Sequence, residues 1–182
     1  MLSKLIIIRG NSGSGKTTVA KEVRSRIGDG LSDNTMLIQQ DTLRRDILRE
    51  RDMLEKRATI ELIELMAEFG RKQGRTVILE GIFTVKKYGA MLDKLASKFD
   101  EVYVYYFDLP FEETLVRHKS KPNAHEFGEK EMRDWWNEKD FLGMPNEKTL
   151  NEEMDIEDIV SQIIFDIGVA KSVHEREPKL LQ

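Results

Sequence analysis

A segment near the start of the chain combines residue types at the spacing that phosphate binding requires. Residues 10–17 read Gly-Asn-Ser-Gly-Ser-Gly-Lys-Thr and satisfy the pattern G-x-x-x-x-G-K-[ST], the Walker A motif. The glycines allow positive φ and a close approach of the backbone, so successive N–H groups can surround an anion. The Lys16 ammonium can reach the outer phosphates, and the Thr17 hydroxyl can ligate Mg²⁺. We therefore expect this loop to bind a nucleoside triphosphate.

The residues on both sides of the loop predict a strand before it and a helix after it. Residues 5–8 are Leu-Ile-Ile-Ile, an apolar run typical of a central parallel strand that is covered on both faces. After the loop, Val19, Val23 and Ile27 recur at the i, i+4, i+8 spacing of a helix, whose positive end would attract phosphate. The residues expected to contact the nucleotide are Asn11, Ser12, Gly13, Ser14, Gly15, Lys16, Thr17 and Thr18.

Strands and helices are expected to alternate along the rest of the chain. Further strands are predicted at residues 35–39, 75–80, 101–107 and 148–150, with helical patterns between them. No hairpin signal joins two strands, so the strands should run parallel with helices on both faces of the sheet. The sequence therefore predicts an α/β fold of the P-loop NTPase type. This fold is a three-layer α/β/α sandwich with a mostly parallel, five-stranded sheet and a helical lid.

Length and composition restrict the classes of protein to which the chain can belong. A single domain is expected over residues 1–182, with a lid at about 117–140 and a flexible, charged tail at about 172–182. The chain has no cysteine, which excludes disulfides and thiolate metal sites. The net charge of −4 disfavours a large nucleic-acid interface, although a local basic patch remains compatible with it. No apolar run approaches the length of a membrane span and no signal segment is evident, so a cytoplasmic location is expected.

Three acidic residues, Asp41, Glu80 and Asp108, lie at or just after the ends of predicted strands. Parallel strands end at one edge of the sheet, where ligands bind, so these acids should converge near the loop. Asp41 could accept a proton from the acceptor hydroxyl or orient that hydroxyl, or it could serve only as a helix cap. Glu80 suits a position near Mg²⁺ or near the acceptor. Asp108 precedes Leu109 and Pro110 and is more typical of a helix cap. Arg44 should share a face with Asp41 and could hold a substrate phosphate, and Arg45 is the weaker candidate for that role.

The polar lid predicted at residues 117–140 carries the remaining candidate cations. Arg117 and Arg133 lie among glycine and proline breaks, as expected of a mobile cover that brings arginines onto the transferred phosphate. We expect both to be catalytic, together with Lys16 and Asp41. Residues 137–140 read Asn-Glu-Lys-Asp and superficially match the guanine-reading N-K-x-D motif. Their lysine is displaced by one position, so we interpret the match as coincidental.

Taken together, these motifs resemble those of the small P-loop kinases. The similarity is to the branch with polynucleotide 5′-kinase, zeta-type toxins and chloramphenicol phosphotransferase, and more closely to small bacterial proteins labelled uridine kinase or AAA-type kinase. The resemblance implies use of ATP and Mg²⁺. It also implies that Asp41 is the general base, that Arg44 is the arginine that holds phosphate in polynucleotide kinases, and that Arg117 and Arg133 are lid arginines. Residues 80–82, Glu-Gly-Ile, are similar to the E-G-[IL] of uridine kinase and phosphoribulokinase.

The leading hypothesis is an ATP-dependent kinase that phosphorylates a hydroxyl of a small molecule such as a nucleoside, a sugar or an antibiotic. In this hypothesis Asp41, Arg44, Arg45 and Glu80 face the acceptor, and Thr17 and Glu80 hold Mg²⁺. One alternative is a kinase for 5′-hydroxyl ends of nucleic acid, which the acidic net charge disfavours. The other is an NTP-hydrolysing switch without an acceptor, which Asp41 and the arginines of the lid disfavour.

Overall fold

A parallel β-sheet forms the middle layer of the molecule. The computed structural model describes residues 2–28, 34–50, 58–120 and 124–168. Within these ranges the sheet has five strands, all parallel, in the order β2-β3-β1-β4-β5, which confirms the predicted sheet. The strands are β1 Lys4–Gly10, β2 Thr35–Gln39, β3 Thr76–Gly81, β4 Glu101–Phe107 and β5 Glu147–Leu150.

Helices cover both faces of this sheet. They are α1 Lys16–Ile27, a π-helix at Thr42–Ile47, α2 Ala58–Lys72, α3 Val85–Ala96, α4 Phe111–Lys119, α5 Glu129–Asp134 and α6 Ile156–Asp166. None of the helices in the described ranges has both the length and the apolar character needed to cross a bilayer. Residues 172–182, the expected tail, lie outside the described residues.

Strand β1 lies at the centre of the sheet and contributes to two separate cores. Leu5 and Ile7 pack into a core with α2 and α3, whereas Ile6 and Ile8 pack into a second core with α1 and α6. Successive side chains of a strand point to opposite faces, so an unbroken apolar run is needed when both faces are covered. The predicted three-layer sandwich is confirmed.

The segment after β2 departs from the α-helix that the sequence predicts. It forms a π-helix, in which Leu48 N donates to Leu43 O at 2.9 Å. The helix ends at Ile47, and Arg49 two residues later has a φ of 52°, which is incompatible with further helical bonding. The Glu50 carboxylate then accepts hydrogen bonds from the N–H groups of Ala58 and Thr59, which begin α2. π-Helical turns are rare and often occur at functional sites.

A fully buried arginine at the end of β1 joins four parts of the chain. Arg9 has 0% exposure, and its guanidinium donates to Asp140 at 2.5 Å, to Glu147 at 3.0 Å, and twice to the Phe83 carbonyl at 3.1 and 3.2 Å. The guanidinium carbon also lies 4.8 Å from the centre of the Tyr106 ring. These contacts connect β1 to the loop after β3, to the end of the lid, to β5 and to β4.

The partners of Arg9 are themselves fixed by further contacts. Asp140 accepts a hydrogen bond from the N–H of Val85 at 3.0 Å, which caps α3, and its own N–H donates to the Tyr106 hydroxyl at 3.2 Å. Phe83 adopts a φ of 43°, a conformation unusual for a bulky residue, and its carbonyl accepts the two bonds from Arg9. The arginine therefore supports the strained turn that leads from β3 into α3.

Replacing this arginine should strongly destabilise the fold. Arg9→Met would leave the carboxylates of Asp140 and Glu147 without their cation, and breaking a buried pair costs about 3–5 kcal/mol. The measurement is the free energy of unfolding from chemical denaturation. The matched control is Arg26→Met, which removes a surface arginine from its contacts with Glu22 and Glu157 and should cost about 0–1 kcal/mol. Equal losses in the two variants would contradict the assigned role of Arg9.

Candidate functional site

From the end of β1 to the start of α1, three glycines adopt a positive φ that other residues rarely take. Gly10, Gly13 and Gly15 have φ values of 142°, 85° and 98°. A Cβ atom on Gly13 would lie 2.5 Å from the carbonyl oxygen of Thr114 in α4, so the loop is also packed too closely for a side chain there. Gly15 precedes α1 and no side chain caps that helix, which leaves its first N–H groups facing the loop. This geometry fits an anion such as a phosphate.

The lysine of the motif lies inside the loop. Lys16 is 6% exposed, and its ammonium donates to the carbonyl oxygen of Asn11 at 2.6 Å and to the hydroxyl of Ser14 at 3.2 Å. Both acceptors belong to the loop, so the positive charge of the ammonium group is held within the loop. A phosphate that entered the loop would meet this charge directly.

Thr17 and Glu80 form an oxygen-rich pair beside the loop. The Thr17 hydroxyl donates to one carboxylate oxygen of Glu80 at 3.1 Å, and the Gln39 side chain donates to the other at 3.1 Å. Glu80 is 6% exposed at the end of β3. Mg²⁺ prefers oxygen ligands, and it usually takes one or two from the protein and the rest from water and phosphate. The pair fits that requirement, and among the described residues no cluster of three or more acids or histidines offers a larger metal site.

The π-helix carries Arg44 and Arg45, and Asp41 directly precedes it. Asp41 accepts a hydrogen bond from Arg44 at 3.0 Å, as the i, i+3 spacing predicts. The Asp41 side chain makes no capping bond to the helix that it begins, so the structure does not support the interpretation of this residue as only a helix cap. Arg45 donates to Glu126 of the lid at 2.6 Å, and this hydrogen bond raises the pKa of Arg45.

A cleft of about 550 Å³ extends from the loop between the π-helix, the start of α3 and the lid. Asp41, Arg44 and Arg45 line this cleft, and so does Ser12 of the phosphate loop. Aromatic rings form much of the wall on the lid side. The polar and aromatic lining residues are Ser12, Gln40, Asp41, Arg44, Arg45, Thr84, Lys86, Lys87, Tyr88, Glu126, Phe127, Glu131, Asp134, Trp135, Trp136 and Asn137. We call it the acceptor-side cleft.

The two predicted lid arginines lie in different environments. Arg117 donates to the carbonyl oxygen of Ser14 at 3.1 Å, so the structure brings it to the phosphate loop. Arg133 lies on the exposed side of α5, where it donates to Glu129 at 2.8 Å and lies 4.2 Å from the centre of the Phe111 ring. Among the described contacts, none joins Arg133 to the loop. Its catalytic role stays a prediction.

A second cleft, of about 500 Å³, lies on the Arg117 side of the loop. Its walls are partly apolar and come from α1, the end of β4 and the start of α6. The lining residues are Ser14, Gly15, Val19, Phe107, Arg117, Met154, Asp155, Ile156, Glu157 and Ile159. The phosphate loop therefore separates two clefts, and we call this one the Arg117-side cleft.

No sequence pattern predicts that Asn137 and Asp140 attach the lid to the loop. The Asn11 side chain donates to the carbonyl of Asn137 at 2.7 Å and accepts from its N–H at 3.0 Å. Asn137 and Asp140 belong to the segment interpreted as a coincidental motif match, and both bind residues next to or within the loop. The lid sequence carries no pattern that signals these contacts. The sequence around Arg9 did indicate a structural role for this residue, since it is a charged residue between an apolar strand and a glycine.

The sequence and the fold can both be compared with those of known proteins. The family model of the AAA domain matches residues 5–138, well over half of the chain. The chain belongs to the AAA domain family. The matched range contains the phosphate loop, Asp41, Glu80 and most of the lid. No curated protein matches the sequence of this AAA domain protein.

Solved structures share the fold of this AAA domain protein at low sequence identity. The APS kinase CysC of Mycobacterium tuberculosis in complex with AMPPNP and APS gives a TM-score of 0.68 at 17% identity, covering 91% of this chain and 98% of that one. The tunicamycin resistance protein of Deinococcus radiodurans gives 0.60 at 14%, covering 92% and 97%. A gluconokinase from Sinorhizobium meliloti gives 0.58 at 12%, covering 91% and 95%. These likenesses confirm that the fold is that of the small P-loop kinases.

Removing the clamp between the loop and the lid should loosen the lid. Asn11→Ala leaves the N–H and carbonyl of Asn137 without their partners, which should lower the free energy of unfolding by about 1–3 kcal/mol. Trp135 and Trp136 precede Asn137 and are the two tryptophans of the chain. Their fluorescence should therefore become easier to quench with acrylamide. Asn151→Ala, which removes an exposed side chain that accepts one bond from Glu153, is the control. Unchanged quenching in Asn11→Ala would argue against the clamp.

Proposed function

We propose that this protein is a phosphotransferase that moves the γ-phosphate of ATP, bound with Mg²⁺, to a hydroxyl group of a small molecule. One observation carries the proposal: the phosphate loop and the carboxylate of Asp41 line the same cleft. A transferase needs a donor site and an acceptor site that meet at the transferred group. A hydrolysing switch needs no such cleft, because its second reactant is water.

The Arg117-side cleft would hold the part of the nucleotide that lies beyond the phosphates. It begins at Ser14 and Gly15 of the loop and continues along the apolar side chains of Val19, Met154 and Ile156. Its volume of about 500 Å³ suits a small-molecule ligand. Arg117 lies at its junction with the loop, so we assign this lid arginine to the nucleotide.

Four residues at or near the loop have roles in the proposed reaction. The hydroxyl oxygen of the acceptor forms a bond to the γ-phosphorus, the bond between that phosphorus and the β–γ bridging oxygen breaks, and ADP leaves. Asp41 accepts the hydroxyl proton, and Lys16 neutralises charge on the outer phosphates. Thr17 and Glu80 would hold Mg²⁺, which would supply positive charge to neutralise the phosphate oxygens. Candidate acceptors are nucleosides, sugars and antibiotics, and nucleic acid is the less favoured class.

A screen for acceptor-dependent ADP release tests the proposal. The purified protein with ATP and Mg²⁺ is presented with nucleosides, sugars, aminoglycosides and 5′-hydroxyl oligonucleotides. At least one hydroxyl compound should accelerate ADP release and should itself become phosphorylated. If no compound is phosphorylated and ADP release responds only to a protein partner, the protein is a switch and the proposal is wrong.

Removing the proposed base should separate nucleotide binding from transfer. Asp41→Asn should lower the rate of transfer by about 10²-fold or more, the usual scale for loss of a general base, and should leave ATP affinity unchanged. Asp46→Asn removes an exposed carboxylate from the same π-helix and serves as the matched control. Parallel measurements of nucleotide affinity and transfer rate decide the outcome. A collapse of ATP affinity in Asp41→Asn would instead give this residue a role at the nucleotide.

Weakening the proposed metal site should change the Mg²⁺ requirement. Glu80→Gln removes the charge that faces Thr17, so the Mg²⁺ concentration for half-maximal ADP release should rise by about tenfold or more. Glu61→Gln, an exposed change on α2, should leave it unchanged. An identical Mg²⁺ dependence of Glu80→Gln and the unmodified protein would remove Glu80 from the metal site.

A further inference from the structure

The proposed base is an exposed side chain, but the chain on either side of it is buried. The Asp41 side chain is 62% exposed and bonds to Arg44 of its own segment. Gln40, which precedes it, is 6% exposed, and Leu43 is 3% exposed in the core beneath α2 and α3. An exposed carboxylate takes its position from the backbone that carries it. The position of Asp41 in the acceptor-side cleft therefore depends on how its buried neighbours are fixed.

The side-chain amide of Gln40 joins the start of the π-helix to two other parts of the chain. Its Oε1 accepts hydrogen bonds from the N–H of Ile82 at 2.8 Å and from the N–H of Phe83 at 3.4 Å, in the turn after β3. Its Nε2 donates to the Tyr88 hydroxyl of α3 at 2.7 Å. If this amide were lost, the groups that it binds would be left without a partner in a buried place, which is costly.

A glycine at the end of β3 makes room for this amide. A Cβ atom on Gly81 would lie 2.6 Å from the Cβ of Gln40 and 2.4 Å from its Oε1. Unlike the glycines of the phosphate loop, Gly81 does not have a positive φ. Glycine is therefore required here for space and not for backbone conformation. The close approach of the π-helix segment to the end of β3 depends on the pair Gln40 and Gly81.

The turn that Gln40 contacts is the same turn that Arg9 supports. Phe83 donates its N–H to Gln40, and its carbonyl accepts the two hydrogen bonds from Arg9. Gly10 of the phosphate loop directly follows Arg9. A continuous series of buried hydrogen bonds therefore runs from the start of the phosphate loop to the residue that precedes Asp41.

We propose that Gln40 is a positioning residue for the transfer reaction: it fixes the distance between the Asp41 carboxylate and the phosphate loop. The inference rests on the proposed function. In this role Gln40 acts through Asp41 and not on the reacting atoms themselves. Such alignment matters because a displacement of about 1 Å at a reacting group can lower the rate by about 10²-fold.

The structural part of the proposal can be measured without turnover. Gln40→Met keeps an unbranched side chain of similar length and removes the hydrogen bonds of the amide. Hydrogen exchange at the amides of Ile82 and of Leu48, whose N–H closes the π-helix, should become about tenfold or more faster. The matched control is Gln162→Met, which removes an amide that donates to Asp166 within α6 and lines neither cleft. Unchanged exchange in Gln40→Met overturns the inference.

Kinetics separate positioning from general damage to the protein. With the hydroxyl compound that is phosphorylated fastest in the ADP-release screen, Gln40→Met should lower kcat by about tenfold or more and leave the KM for ATP unchanged. The same substitution in an Asp41→Asn protein should lower kcat by less than about twofold, because no base is left to align. An equal fold loss in both backgrounds contradicts a role through Asp41, and so does a rise in the KM for ATP with kcat unchanged.

A second variant displaces Gln40 without altering it. Gly81→Ala introduces the Cβ that lies too close to Gln40, so it should also accelerate exchange at Leu48 and lower kcat. Gly89→Ala is the matched control, because its Cβ would meet Val85 at an ordinary contact distance of 3.4 Å. That variant should leave exchange and kcat unchanged. If Gly81→Ala behaves like its control, the close packing of Gln40 does not position the base.

The two kinds of measurement distinguish failure of the inference from failure of the proposed function. If no compound is phosphorylated in the screen, the proposed function is wrong, and the role of Gln40 in transfer is refuted with it. The exchange rates still decide in that case whether Gln40 fixes the π-helix. If transfer occurs and Gln40→Met transfers at the unmodified rate, the inference is wrong while the proposed function stands.

Discussion

The buried charge of Arg9 is the constraint on which the arrangement of the site depends. Removing a cation from water costs several kcal/mol, and this cost is offset only if acceptors surround the cation with good geometry. The chain supplies them from distant segments: Phe83 after β3, Asp140 at the end of the lid and Glu147 in β5. Because Gly10 of the phosphate loop follows Arg9 directly, each of these segments is fixed relative to the loop.

A second set of contacts connects the phosphate loop to the end of the lid and to Lys16. The Asn11 side chain binds the backbone of Asn137, and the Asn11 carbonyl accepts a hydrogen bond from Lys16. The lysine, the loop and the end of the lid therefore form one connected unit. The tryptophans that precede Asn137 take their position in the acceptor-side cleft from that unit. A site built in this way is organised before any ligand binds, which lowers the entropic cost of aligning the reactants.

The sequence predicts what local patterns determine, and it does not predict what distant contacts determine. The apolar residues of β1, the Walker A motif and the acids at the strand ends follow from spacing alone, and the sheet and its layers follow from these. The partners of Arg9 are more than 70 residues away in sequence, and Arg45 and Glu126 are 81 residues apart. Nothing local indicates those pairs. Arg133 was predicted from its place in a polar segment, but its orientation depends on the Phe111 ring beneath it, which no pattern within the lid encodes.

Under the proposed function, the two clefts separate the nucleotide from the acceptor. The nucleotide would then bind to the backbone of the loop together with Lys16 and Thr17, and the geometry of this part depends on glycine conformations that tolerate little change. The acceptor-side cleft is lined instead by side chains from the π-helix, the start of α3 and the lid. These side chains can change without disturbing either core, because the cores lie between the sheet and the helices that cover it. An APS kinase and a gluconokinase share this fold at 17% and 12% identity, and a fold shared at that level fixes no substrate. Specificity in this protein must therefore be sought in the charges and rings that face the loop across the cleft.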